Sequence, residues 1–132
     1  MRTIKFRAKR IDNGKWLYGD LMHDNIGGSY IYPIETENLY KENAVIPDTV
    51  SQFTGLKDKK GKEIYEGDII IEQIKRSGQD GERLVICFED FEWEGKNSNG
   101  STTSLSLLTT YHIFEVIGNI HDNPELLKGG MK

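Results

Sequence analysis

Phe53-Thr-Gly-Leu-Lys-Asp-Lys-Lys-Gly-Lys-Glu-Ile-Tyr-Glu-Gly-Asp68 carries three glycines and two aspartates in one short stretch. Glycine adopts positive φ without the steric cost of a Cβ. Aspartate accepts hydrogen bonds from the backbone N–H groups of a turn. Asp58-Lys-Lys-Gly61 therefore predicts a turn that ends in a left-handed glycine. Tyr65-Glu-Gly-Asp68 predicts a second tight reversal, which leaves residues 62–65 room for only a very short strand. The stretch reads as the centre of a chain of short strands and tight turns.

Upstream, residues 3–10 alternate, with Ile4, Phe6 and Ala8 on one face and Lys5, Arg7 and Lys9 on the other. That period-two pattern is the mark of a half-buried strand. Asn13-Gly14 suits a type I′ turn, and Trp16, Tyr18 and Leu21 lie in the return strand, giving a hairpin over residues 3–21. Gly27-Gly28-Ser29 is a loop, and residues 30–34 form a short strand that stops at Pro33. Residues 38–43 fit a single helical turn. Residues 45–53 are extended, with Pro47-Asp48 a bend or bulge near a sheet edge.

Downstream, residues 68–74 are β-branched and apolar and predict a central strand. A polar turn over 77–81 leads to the next strand, 82–88. Residues 96–104 are Asn, Ser, Gly and Thr in low-complexity order, a mobile loop or hairpin tip. Residues 105–110 and 111–120 complete the strand set. Asp122-Asn123-Pro124-Glu125 then places a capping side chain before a proline at the first helical position. Leu126 and Leu127 follow, and Gly129-Gly130 ends a short helix that plugs one end of the β structure. Many short strands with glycine turns and a terminal helix predict a mainly β fold, a small barrel or roll.

The 132 residues fit one domain over 1–132, and 36% hydrophobic with 29% charged residues suits a water-soluble globule. No apolar run approaches the roughly 20 residues of a membrane span. Residues 1–10 are basic and lack the apolar centre of a secretory signal, so a cytoplasmic location is expected. Cys87 is the lone cysteine, which excludes a disulfide framework and a cysteine-rich zinc site. Within Leu-Val-Ile-Cys-Phe it reads as a small buried hydrophobe. A net charge of −4 argues against a generic polyanion binder. The charge is uneven, however: Arg2, Lys5, Arg7, Lys9 and Arg10 crowd the start, while Glu89, Asp90, Glu92 and Glu94 crowd one later stretch.

Three segments together resemble one family. Phe6-Arg7-Ala8 with Trp16-Leu-Tyr-Gly-Asp20 opens the pattern, the segment from Phe53 to Asp68 is its centre, and Ile117-Gly-Asn-Ile-His-Asp-Asn-Pro-Glu-Leu-Leu127 closes it. The chain is similar to the YopX family, small proteins of bacteriophages and prophages, over nearly its whole length. The resemblance implies an SH3-like barrel or roll with additional short strands and a short C-terminal helix. It implies no reaction and carries over no catalytic residue or cofactor. His121 stands where an aromatic such as tyrosine is more usual in the closing motif.

Residue chemistry agrees with that silence. Gly55 and Gly61-Lys62 evoke a phosphate loop, but five residues intervene instead of four and Glu63 replaces the magnesium-binding hydroxyl. A phosphate loop must also open onto a helix, and Glu63 opens a strand. His23, His112 and His121 lack the i, i+4 spacing of a metal pair. Asp90, Glu92 and Glu94 could offer oxygens to a hard cation, yet they read better as a solvated strand face with Phe91 and Trp93 turned to the core. No catalytic, metal or cofactor site is expected.

Three functions follow as expectations. The first is a non-enzymatic β-barrel interaction module, a phage or prophage accessory protein that binds a host or phage protein or a second copy of itself. A small-ligand or partner groove would then be lined by Thr54, Tyr65, Glu66 and Asp68, because conspicuous loop residues are where binding concentrates. The second is nucleic-acid binding through Lys5, Arg7 and Lys9 with Trp16 or Tyr18 as stacking partners; the alternative role of that strand is structural, a charged strand that discourages edge pairing or one that pairs with the acidic face from Asp90 to Glu94. The third is a small hydrolase or transferase using Asp68 and a histidine.

Overall fold

In the computed structural model, residues 3–33, 43–72, 82–110 and 114–127 are described. They divide into two units, Met1–Phe53 and Thr54–Lys132. The fold is mainly β, built from antiparallel pairs.

In the first unit, β1 (Phe6–Lys9) pairs with β2 (Trp16–His23), and β2 pairs with β3 (Ser29–Tyr32). β3 continues to the two-residue β4 (Ala44–Val45), and β1 pairs on its other side with the start of β5 (Ser51–Lys57). The predicted alternation places Phe6 and Ala8 on the face that meets Leu17, Leu21, Ile31, Val45 and Val50. Ile4 departs from the expectation: it precedes the strand and is exposed. So does Arg7, on the supposedly polar face, which is only 5% exposed.

The β1–β2 turn is longer than a type I′ turn. Arg10 and Lys15 close a four-residue loop in which Gly14 N donates to Arg10 O at 3.0 Å. Of Asn13 and Gly14 only the glycine has positive φ, at 70°, and the Asn13 side chain instead accepts from Lys15 N. Pro47–Thr49 is a 3-10 turn rather than a simple bend, and Thr49 Oγ1 donates back to Ile46 O. The expected helical turn over 38–43 lies outside the described residues except for Asn43.

In the second unit, the latter part of β5 leads through the turn at 58–62 to β6 (Glu63–Tyr65), and Gly67 then turns the chain into β7 (Asp68–Glu72). β6 is ordered beside β5, whereas β7 belongs to a five-stranded sheet, so the reversal at Glu66-Gly67 passes the chain from one sheet to another. That sheet also holds β8 (Arg83–Glu89), β9 (Glu92–Lys96), β10 (Thr102–Ser104) and β11 (Phe114–Asn119), in the order β10-β9-β8-β7-β11. β7 has a partner on each side, as its apolar run predicts. The β11–β7 register shifts between Val116 and Gly118. The low-complexity stretch forms the β9–β10 turn, where Asn97 Oδ1 accepts from Asn99 N and Ser101 N.

Leu105–Thr110, expected as strand, is the helix α1. Leu105 and Leu108, three residues apart and therefore on one helical face, are buried with Ile64, Ile70, Leu84, Ile86, Phe114 and Val116, while Leu107 is exposed. The expected terminal plug is a four-residue 3-10 turn, Pro124–Leu127, with no fully buried residue. Its carbonyl at Leu126 accepts a hydrogen bond from the Arg83 guanidinium. The turn at 77–81 and Gly129-Gly130 lie outside the described residues.

Candidate functional site

The central segment uses its polar side chains on its own backbone. Asp58 is 5% exposed: Oδ1 accepts from Lys60 N and Lys62 N, both at 2.9 Å, and Oδ2 accepts from Val116 N at 3.0 Å. One carboxylate thus closes the turn and ties it to β11. Thr54 Oγ1 donates to Ile64 O at 2.9 Å and accepts from Leu56 N, which holds β5 against β6. Tyr65 N donates to Asp68 Oδ2 at 2.7 Å, and the Tyr65 hydroxyl donates to Glu63 Oε1 at 3.2 Å. Gly55, Gly61 and Gly67 have φ of 86°, 84° and 84°. At Gly67 the demand is double, since its N–H donates to Ile86 O and its carbonyl accepts from Ile120 N while the backbone is left-handed.

The four residues expected to line a groove are therefore close in the chain but unlike in exposure. Thr54, Tyr65 and Asp68 are buried, and Glu66 in the turn is half-buried. Asp68, the acid of the hydrolase expectation, is 1% exposed and anchors a backbone amide.

Arg7 and Lys9 share a face of β1, with Lys5 just before the strand, and the register sets Arg7 across from Tyr18 and Lys9 across from Trp16. The Arg7 guanidinium lies 4.6 Å from the Trp16 ring centre, Lys9 Nζ 5.5 Å from the same ring, and Lys5 Nζ 5.2 Å from Phe53. Cation–π contacts of this kind hold positive charge over aromatic faces. Tyr30 and Tyr32 stack nearly parallel at 6.2 Å. Asp24 closes the β2–β3 turn, accepting from Ile26 N, Gly28 N and the Tyr30 hydroxyl. The tyrosine hydroxyl, then the Gly28 amide, hold its carboxyl below the usual carboxylate range.

The acidic stretch corrects the sequence expectation. Asp90 and Phe91 form a two-residue hairpin turn between the paired Glu89 and Glu92, with φ of 52° and 65°. Phe91 is 97% exposed instead of turned inward, and Glu94 is buried, with no hydrogen-bond partner for Oε2 among the described residues. Trp93 does pack against the core and meets Phe88 edge-on at 5.0 Å. Cys87 is half-buried; desolvation first, and the Glu89 charge second, push its thiol up. Phe91 is turned out because the turn absorbs Asp90 and Phe91, so strand alternation begins only at Glu92. Two adjacent positive-φ residues without glycine gave no turn signal in the sequence.

Among the described residues no group of three or more His, Cys, Asp and Glu is placed to hold a metal ion, and no helix is long and apolar enough to cross a membrane. His23 Nδ1 lies 3.2 Å from Ser29 Oγ, the His121 amide donates to Asn119 Oδ1, and His112 falls outside the described residues.

Comparison with solved structures finds the protein EF1440 from Enterococcus faecalis, 27% identical, with a TM-score of 0.63 over 97% of this chain and 100% of that one. Protein yopX from Bacillus subtilis, 22% identical, gives a TM-score of 0.65 over 98% of each chain and shares the fold. Comparison with curated proteins gives no match. Residues 5–128 match the family described as YopX protein, spanning the opening, central and closing motifs alike, and the chain belongs to the YopX family.

Proposed function

We propose that the chain is a non-enzymatic interaction module of a phage or prophage, acting in the cytoplasm of the bacterial host by binding a host or phage protein. A second copy of the chain is one candidate partner. The observation that supports this most is the commitment of Thr54, Tyr65 and Asp68 to backbone hydrogen bonds in a buried setting. A general acid or nucleophile must reach a substrate atom, whereas these groups hold turns in place. The family match running from 5 to 128 supports treating the chain as one domain of function. The register shift between Val116 and Gly118 supports an SH3-like barrel or roll, because bulges bend a sheet toward closure.

The test is affinity purification from phage-bearing cells together with light scattering for mass. Recovery of a defined protein, or a mass above that of one chain, is expected; a monomer that recovers only nucleic acid overturns the proposal. Asp68→Asn separates the enzymatic alternative, which requires a folded variant that has lost turnover.

One observation favours a second reading, nucleic-acid binding: the cross-strand placement of Arg7 with Tyr18 and Lys9 with Trp16 joins cations and aromatic rings on one sheet face. It requires an affinity for single-stranded DNA or RNA that falls steeply with salt and with Lys5→Glu or Lys9→Glu. A titration without binding removes it.

A further inference from the structure

The tip of the β8–β9 hairpin combines features that folding alone does not explain. Two-residue turns with positive φ at both positions favour Asn-Gly or Asp-Gly. Here the second position is Phe91 at φ 65°. A bulky residue in the left-handed region is an outlier, and such strain concentrates at functional sites. The ring recovers nothing inside the fold, because Phe91 is 97% exposed. The hairpin beneath it is firmly held. Glu89 pairs across from Glu92 and bridges to Lys96, and Phe88 packs edge-on against Trp93. The outcome is an aromatic side chain displayed on a fixed turn, which lowers the ordering cost of binding.

Charge narrows what the ring can meet. Asp90 and Glu92 flank it and are both exposed. Two carboxylates beside the ring oppose nucleic acid, anionic lipid headgroups and the same acidic tip of a second copy. They favour a surface with positive charge around an apolar cavity. We infer that Phe91 is a docking anchor that inserts into an apolar pocket rimmed by Lys or Arg on a partner protein. This rests on the interaction-module proposal and names its contact surface.

The experiment places a photo-crosslinking benzoylphenylalanine at position 91 in phage-bearing cells. The cross-linked protein is identified by mass spectrometry, purified and titrated against the unmodified chain, Phe91→Gly and the double variant Asp90→Lys with Glu92→Lys. Phe91→Gly is expected to weaken binding by about 30-fold or more, the loss of a hot-spot aromatic, while its melting temperature stays level or rises. The double charge reversal is expected to weaken binding by about 10-fold and to invert its salt dependence, so that added salt strengthens what remains. A purified partner that binds Phe91→Gly as well as the unmodified chain overturns the anchor and leaves the interaction module standing. Binding of the unmodified chain but not Phe91→Gly to phosphatidylglycerol vesicles, or self-association lost in Phe91→Gly, also overturns it. If neither cross-linking nor affinity purification returns a protein, both proposals fall.

Discussion

Asp58 shows how much architecture one side chain carries. Its two oxygens satisfy three backbone donors, two in its own turn and one on β11, fifty-eight residues further along the chain. Removing an acceptor from buried donors costs the desolvation of each donor left unmade, and charged acceptors are the stronger partners. Asp58→Ala is therefore expected to lower unfolding stability by about 3 kcal/mol, seen as a lower urea midpoint with an unchanged slope. A loss under about 0.5 kcal/mol, the range of ordinary surface changes, would show that the turn is held by other means. Phe91 presents the opposite case, a side chain whose removal should help the fold. Phe91→Gly relieves a left-handed backbone, a gain offset in part by glycine entropy, and should stabilise by about 1 kcal/mol in the same assay.

Short elements divide into those whose cues are local and those whose cues are not. The turns at 58–61 and 65–68 were legible because aspartate and glycine act within their own few residues. The helix α1 was not, since Leu105-Ser-Leu-Leu108 satisfies strand alternation as readily as helical spacing over so short a run. Its face is decided by burial of Leu105 and Leu108 with the sheet core. Leu105→Ala should accordingly cost about 3 kcal/mol, and Leu107→Ala under about 0.5; equal losses would contradict the helical face. The Asp90-Phe91 turn was hidden for a related reason, as neither the missing glycine nor the burial of Glu94 can be read from neighbouring residues. The turn roles of Asp58 and Asp68 were legible in the sequence, but the exposure of Thr54, Tyr65, Glu66 and Asp68 came only with the fold. The β2–β3 hairpin adds a pH dependence. Asp24 ionises below the ordinary carboxylate range because Tyr30 and two turn amides stabilise the anion. Its contribution is thus complete above that range and is lost as pH falls through the lower folded value. The stability difference between the unmodified chain and Asp24→Asn should shrink with acidification in urea titrations, and a difference that grows would reverse the sign.

At the size of the whole chain, two apolar clusters stand out among the described residues, each within one unit. Ala8, Ile31 and Val45 centre the first, and Ile64, Ile70, Leu84, Ile86, Phe114 and Val116 with α1 centre the second. Among the described residues the first holds three buried apolar residues against eight in the second, so less apolar area opposes its opening. Local unfolding follows such differences in buried contact. Hydrogen exchange should therefore be faster in β1–β4 than in β7, β8 and β11. Ile31→Ala sharpens the test: a cavity in the small cluster should accelerate exchange throughout β1–β4 while β7 and β8 keep their protection. Phe114→Ala should accelerate exchange in β7, β8 and β11. If Ile31→Ala instead raises exchange equally in every strand, the chain opens only as one cooperative body, and the two clusters are a division of contacts without a division of stability.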